Sequence, residues 1–551
     1  MEARIKTGIL LNNTLIPAWQ YTILERLKSS EYSDITVVIG RTSGPARERR
    51  NHGSFIFVIH QMIDRFIFSR DNHYAKSVDG TELLRGIPKI AVKPVDNGAT
   101  EEFSDNDIDL ILKFSPDLIL NFGSGLITGR ILDIPRFGIW SFTMDNYGAG
   151  PQGLTGYNEI ANNIPVTCSG LEVIKNNPEE NGVLASADES TCFYSGHLNR
   201  DRLFRRASLM IPRIIEGISI YGSSFLEQLE RKNKSDGRGP ALIARSPSVL
   251  KATGNLFSSK VRLLKQVLKK IFYSDPFSWT IHFRIGETDD FLNNNYKDFR
   301  KIKPSSDRFW ADPFVITEGD RYYMFVEEYL YKRNKGHISV IELDIEGKLM
   351  GVEKVIEKPY HMSYPFVFRD REEWYMIPET GENRTIDLYR SDGFPGKWKF
   401  VKHLMTGVNA FDSTLLYYDN KWWLFTVIDT IECALENSPE LYLYYSDDLL
   451  TDNWHSHPMN PVVSDVRKSR PAGRIFMKGG NIYRPGQDCS LRYGNAFSFN
   501  QITTLSETEY FEKEALKVFP SWDRSLKGTH TFNFDGDITV IDTYKFRHRS
   551  W

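Results

Sequence analysis

The chain has 551 residues, 41% of them hydrophobic and 25% charged, with a formal net charge of −2. That length exceeds what one hydrophobic core supports, so two or three domains are expected in an ordinary globular composition. A charge this close to zero leaves no electrostatic footprint for nucleic acid. Four cysteines (Cys168, Cys192, Cys433, Cys489) without a CxxC pair argue against a zinc site or disulfide framework and for a reducing compartment.

From the N-terminus, Met1–Lys6 leads straight into the apolar Gly8–Leu11, too short and too quickly polar for a signal peptide or membrane span. A cytoplasmic location is the expectation. A strand at Ile9–Leu11 precedes a helix over Trp19–Leu27 and a strand at Ile35–Gly40. Next come a strand at Ile90–Val92, a helix over Asp107–Phe114 and a fully apolar strand at Leu118–Phe122. Strands alternating with helices imply βαβ units and a mostly parallel sheet, so residues 1–235 read as a doubly wound, Rossmann-type α/β domain. The strand ending at Phe122 runs into a glycine turn (Gly123, Gly125), a short helix and a Pro135-started approach to a strand at Ile139. Open α/β sheets bind ligands beyond the carboxyl ends of their strands, which makes this turn a candidate site.

Residues 236–300 read as a linker, beginning with the polar, glycine-containing run Lys232–Pro240. Within it, Ser259–Phe272 has helical periodicity, with Val261, Leu264, Leu268 and Ile271 on one face and Lys265, Lys269 and Lys270 on the rest. A basic amphipathic helix of this kind can lie on an anionic bilayer, so peripheral membrane contact through 259–273 is one expectation. Docking against a neighbouring domain is the plainer alternative.

Residues 301–551 change character. Short strands rich in Trp, Tyr, Phe and Val recur between polar turns, and related cues return every ~50 residues, the mark of a repeat architecture. The cues are Trp310–Phe314, Ser363–Phe366, Phe411–Thr414, Arg470–Gly473 and Gly528–Thr531. Five units of this size point to a five-bladed β-propeller; a β-sandwich would not account for the spacing. Blade starts converge on a central funnel, which gathers Asp312, Glu327 or Glu328, Glu379, Asp412, Arg470, Gln487 and His530 as candidate site residues. The 13% aromatic content suits sugar faces as well as core packing, so carbohydrate is the first ligand class considered. His455 and His457 lack a nearby third ligand and read as solvent-facing loop histidines, and no metal site is expected.

Two resemblances sharpen these readings. The run Asp117–Ile139, with its "DLIL", glycine turn and "LDIPRFG", resembles the core of the methionyl-tRNA and sugar formyltransferases. That resemblance implies 10-formyltetrahydrofolate as a cofactor, and an oxyanion-binding Asn, a basic His and a carboxylate at one point. The corresponding positions hold Ser141, Thr143 and Glu180. Serine can donate one hydrogen bond to an oxyanion, whereas a threonine hydroxyl has no pKa suited to a base near neutral pH. Gly123 and Gly125 fall at the family's folate-side loop. Tyr147 and Gly150 fall in the glycine-dense Tyr147–Gly153, where these enzymes carry a substrate-facing turn.

The second resemblance rests on Trp310–Phe314, Ser363–Phe366, Pro378–Thr380, Phe411–Thr414, Arg470–Gly473 and Tyr483–Asp488. These motifs are similar to a five-bladed family related to glycoside-hydrolase propellers and to the N-terminal part of plant glucosamine inositolphosphorylceramide transferases. It implies Asp312 as base or nucleophile, Asp412 as its tuner, Glu379 as acid, and Arg470 facing an anionic group such as a uronate or phosphate.

Together the resemblances imply a transferase of glycoconjugate or surface-polysaccharide synthesis. It would move a formyl or related acyl group to an amino sugar on a nucleotide or lipid carrier, with the propeller binding the glycan. Sugar nucleotide, lipid-linked sugar or glycan are the implied partners, and the location implied is cytoplasmic or peripheral at the inner membrane face. A second reading makes the propeller a glycosidase or glycosyltransferase beside a non-catalytic formyltransferase-like domain. A third makes the whole chain a non-catalytic glycan-binding scaffold.

Overall fold

The computed structural model describes residues 4–41, 55–68, 73–96, 100–123, 126–144, 155–237, 258, 260–265, 268, 278–286, 296–430 and 440–546, the side chains of 55–60 excepted. They fall into two compact units, 1–266 and 267–551.

The first unit is built on a seven-stranded sheet of β1 (Ile5–Leu11), β2 (Ser33–Arg41), β3 (Lys89–Val92), β4 (Leu118–Asn121), β5 (Ile139–Met144), β6 (Val166–Val173) and β7 (Gly182–Ser190). Their spatial order is β7-β6-β5-β4-β1-β2-β3. Strand alternation sends Ile5, Ile9 and Leu11 of β1 to one face, against Trp19, Ile23, Leu24 and Leu27 of α1 (Ala18–Ser29). Leu10 points to the other face, among Ile108 and Ile111 of α3 (Asp105–Leu112). Burying both faces is what makes the central strands uniformly apolar. Helix α2 (Phe55–Phe68) follows β2, and α4 (Gly196–Tyr221) and α5 (Ser224–Ser235) complete the unit.

The expected parallel sheet is corrected in one respect. Strands β5, β4, β1, β2 and β3 are parallel to one another, but β6 pairs antiparallel with β5 and β7 antiparallel with β6, so the sheet is mixed. Only eight residues join β6 to β7, too few for a crossover helix, so these strands can pair only as a hairpin. The short helix expected after the glycine turn is a 3-10 turn, Arg130–Asp133. Of the expected basic helix, residues 258, 260–265 and 268 are helical, and the rest of 259–273 lies outside the described residues.

The second unit is a five-bladed β-propeller of antiparallel, four-stranded blades. The first three begin with the inner strands Arg308–Glu318, Ser363–Asp370 and Ala410–Tyr418. The fourth has its inner strand split into Arg470–Pro471 and Phe476–Lys478, both paired with Asn481–Asp488. The fifth joins Phe532–Asp535 and Ile538–Lys545 to Ser278–Ile285 and Arg300–Ile302. The ring therefore starts inside the stretch read as linker, which ends short of residue 300. Ser278–Ile285 pairs from Ser278 with Lys545 to Ile285 with Ile538, and buries Trp279, Ile281 and Phe283 on one side. Building the fifth blade from both ends of the unit closes the ring, so the last blade packs against the first as the others pack on their neighbours.

Candidate functional site

The inner strands of the first three blades share a device that builds the hub. Each has a bulge at its cue motif, between Ala311 and Phe314, Ser363 and Phe366, and Phe411 and Thr414. The residue within each bulge takes a left-handed backbone: Asp312 (φ 51°), Tyr364 (φ 42°) and Asp412 (φ 50°). Such conformations cost non-glycine residues free energy and persist only where surrounding contacts hold them.

The contacts are specific. Asp312 Oδ1 accepts from Thr531 Oγ1 at 2.9 Å and lies 3.5 Å from His530 Nε2, while Asp312 Oδ2 accepts from the Tyr364 N–H at 3.3 Å. His530 Nδ1 meets Asp542 Oδ2 at 2.7 Å, and its ring stacks on Trp279 at 3.9 Å and is met edge-on by Tyr493. Across the hub, Asp412 accepts from the Arg470 guanidinium and, at 3.1 Å, from Gln487 Nε2. Glu379 Oε2 accepts from the Asp412 N–H at 3.3 Å and lies 3.5 Å from Arg470 Nη2. The Tyr364 hydroxyl, paired with Thr414 and accepting from Gly473 N–H at 2.8 Å, ties the two halves together.

The structure thus brings Asp312, Glu327, Glu379, Asp412, Arg470, Gln487 and His530 to one place. Of the pair Glu327 and Glu328, strand alternation decides. Glu327 faces the hub, where burial and the charges of Asp312 and Glu379 raise its pKa well above the carboxylate range. Glu328 points away into a network with Arg308, His337, Ser339 and Trp310, and is held down at about 2. Arg470 is corrected: its anions are Asp412 and Glu379 of its own chain, because the bulge in the third blade aims Asp412 at it.

Burial, with Asp412 and Asp542 adding, pushes Asp312 up to about 6, and Glu379 is raised further by burial beside Asp412. Burial opposes charge on His530, yet Asp542 and Asp312 hold its pKa above the usual imidazole range. The hub is therefore a buried cluster in which Glu327 and Glu379 are biased toward their protonated forms beside ion-paired carboxylates, the arrangement that lets one acid donate a proton while another stays ionised. Asp312, His530 and Asp542 offer ligand atoms all within 4.8 Å of one another, so this corner could hold a cation in place of the imidazolium proton. Sequence reasoning missed Asp542, whose signal is the one acid in the strand Ile538–Lys545, and Tyr364 and Trp279, which look like ordinary core aromatics. His457 is also corrected. It is buried, with Nε2 3.0 Å from the Ser506 carbonyl and Nδ1 accepting from Met459 N–H, and so serves its own loop.

In the α/β unit the candidate crevice lies where the chain order switches, between the ends of β1 and β4. Arg41, the last residue of β2, occupies it with a side chain only 4% exposed. Its Nε donates to Glu101 Oε2 at 2.9 Å, Nη1 to Asn12 at 2.9 Å, and Nη2 to Asn121 at 3.3 Å. A Cβ on Gly123 would lie 1.7 Å from Arg41 Nη1, so Gly123 accommodates the guanidinium. Asn121 Nδ2 lies 3.5 Å from Ser141 Oγ. Thr143 donates to Glu172 Oε1 at 3.4 Å, and Glu172 also accepts from Asn181. Glu180 is the misplaced member: it is exposed, held by Asn177 on the hairpin turn beyond the strand ends. Pairing of β5 with β6 sets Glu172 opposite Ser141, so Glu172, not Glu180, is the carboxylate beside Ser141 and Thr143. Gly125, Tyr147 and Gly150 lie outside the described residues.

The second unit is a five-bladed propeller with a buried acidic hub. Residues 300–551 match the family model described as the N-terminal domain of glucosamine inositolphosphorylceramide transferase 1. Over 230 residues, 41% of this chain, it is 35% identical to glucosamine inositolphosphorylceramide transferase 1 of Oryza sativa subsp. japonica. The chain spans about 30% of the length of that relative. Among solved structures, it is similar to Zg3597, a family 117 glycoside hydrolase of the marine bacterium Zobellia galactanivorans, with 12% identity and a TM-score of 0.32 over 49% of this chain and 92% of that one. It is also similar to glycinamide ribonucleotide transformylase 1 from Symbiobacterium toebii, with 15% identity and a TM-score of 0.27 over 40% of this chain and 89% of that one.

Proposed function

We propose that this protein serves in building a glycoconjugate, that the propeller hub is its carbohydrate site, and that the α/β unit has no formyl-transfer chemistry. One observation carries the reading. The acids Asp312, Glu327, Glu379 and Asp412 meet in a single buried cluster in which Glu379 and Glu327 are biased toward their protonated forms, whereas the α/β crevice is filled by Arg41. In such a hub Glu379 can give its proton to the donor's leaving oxygen as the anomeric C–O bond breaks, while Asp312 takes the proton of the acceptor hydroxyl that bonds to the anomeric carbon. Arg470 between Asp412 and Glu379 fixes both carboxyls without a solvent shell. The relatives' own name couples a sugar to a phosphorylceramide, which favours a lipid-borne sugar as the substrate, with a sugar nucleotide as the donor.

Calorimetry with glucosamine and with 10-formyltetrahydrofolate separates the alternatives. Glucosamine is expected to bind, and Asp312→Asn or Glu379→Gln to weaken it at least about tenfold, the loss of one buried hydrogen-bonding partner. Thr143→Val should leave it unchanged. Binding of 10-formyltetrahydrofolate that Thr143→Val abolishes would move the chemistry to the α/β unit and overturn the assignment.

A further inference from the structure

Tyr493 lies outside the repeated cue motifs, yet it touches both halves of the hub. It sits on the loop 489–495 that joins Asn481–Asp488 to Ala496–Leu505 in the fourth blade. Arg470 of the same blade places its Cζ over the ring, 5.0 Å from the centroid. His530 and Trp279, which belong to the fifth blade, meet the ring at 5.3 Å and 6.5 Å with their planes nearly perpendicular to it. Burial, and then the charges of Asp312, Asp412 and Glu379, outweigh Arg470 and hold the hydroxyl as a neutral phenol.

Two glycines allow this reach from one blade to the next. Gly494 has φ 61°, and an added Cβ would lie 2.7 Å from Trp279 Cη2. A Cβ on Gly528 would lie 2.0 Å from the Gly494 carbonyl oxygen. The loop backbone therefore seats directly on the fifth blade, where the Tyr544 hydroxyl donates to the Tyr493 carbonyl at 3.5 Å.

Exposure separates this ring from its neighbours. Trp279 and Tyr364 are buried and leave no ring surface for a ligand. Tyr493 and Phe411 keep partial exposure, and both border Arg470, whose Cζ lies 5.5 Å from the Phe411 centroid. Ligand pockets combine apolar and aromatic walls with a few convergent polar groups. Asp312, Glu379 and Arg470 supply the polar groups here. A sugar also has a C–H face, which an aromatic ring covers and a carboxylate does not.

We propose that Tyr493, with Phe411 beside it, is the platform on which the sugar ring stacks in the hub. This rests on the assignment of the hub as the carbohydrate site, and adds which side chains take the apolar face of the sugar.

Calorimetry of the full chain with glucosamine tests it. Tyr493→Phe keeps the ring and should bind within about twofold of wild type, whereas Tyr493→Leu should bind at least about fivefold more weakly. Phe411→Leu should weaken binding in the same direction. Saturation-transfer NMR adds a readout that a packing role would not move. With aromatic protons irradiated, transfer to the C–H protons of glucosamine should be strong in wild type and Tyr493→Phe. It should be largely lost in Tyr493→Leu at matched occupancy. Circular-dichroism melts check that the leucine variants fold, and Tyr493→Phe keeps the packing on His530 and Trp279 in any case. Equal glucosamine binding after Tyr493→Leu, or transfer that survives it, overturns the platform and leaves the hub assignment standing. Loss of binding in Tyr493→Phe assigns the contact to the hydroxyl and overturns the platform as well. Wild-type protein that does not bind glucosamine overturns the hub assignment, and the platform with it.

Discussion

At the scale of single residues, Glu327 and Glu328 show how much one step along a strand decides. They are chemically identical neighbours, yet one is raised among like charges and the other is depressed among donors, because successive side chains leave opposite faces. The raised groups make stability depend on pH with a definite sign. Between the ordinary aspartate value and about 6, folded Asp312 holds a proton that the unfolded chain has lost, so stability falls as pH rises through that window. His530, raised above the usual imidazole value, extends the loss above pH 6.5 as its proton also leaves. Urea melts at pH 5.5 and pH 8 should therefore give lower stability at pH 8, by on the order of 1–3 kcal/mol. Asp312→Asn/Glu327→Gln should flatten the difference; an unchanged slope would place the titration elsewhere.

At the scale of elements, the bulged inner strands explain why the cue motifs contain Pro, Gly and Asp. Each bulge must turn one residue out of the ladder and toward the hub. In the fourth blade this falls to Gly473, at φ 135°, where an added Cβ would sit 2.0 Å from the Phe532 carbonyl oxygen. Gly473→Ala should cost about 3 kcal/mol or more and disturb the hub through its bond to Tyr364. Gly479→Ala is the control: its φ is 57° but nothing lies within 4 Å, so only the left-handed penalty of about 1 kcal/mol is expected. Equal costs in urea denaturation would refute this account. The same scale explains why α2 escaped the sequence reading. A helix apolar on nearly every side has no periodicity to announce it, whereas α3 carries Ser104 as an N-cap accepting from Asp107 N–H.

At the scale of the whole molecule, ring closure couples residues more than 250 positions apart. Ile281, fully buried, packs with Ile538, Val540, Val315 and Met324 where the last blade meets the first. Ile281→Ala should lower stability by about 2–5 kcal/mol, the range for emptying a well-packed core site. It should also weaken the hub, because the same strand carries Trp279 against His530. Chemical denaturation with glucosamine binding measured on the same variant would check both effects.

Repetition made the propeller legible: five similar motifs at similar spacing demand five similar units, and a closed ring satisfies them. The alternation of β1, α1, β2, β3 and α3 likewise announced the wound sheet, because local periodicity follows from which face is buried. The contents of the two sites were not legible in the same way. Arg41 is an ordinary strand-end arginine until β1 and β4 bring Asn12 and Asn121 beneath it, and Asp542 is a stray acid until the ring carries it to His530. Glu180 and Glu172 exchange importance once the β5–β6 register is set. Local pattern determines which segments form and what they bury, since those choices depend on near neighbours. Which charges end up facing one another, and so which pKa values move, depends on contacts between distant segments that only the closed ring and the wound sheet create.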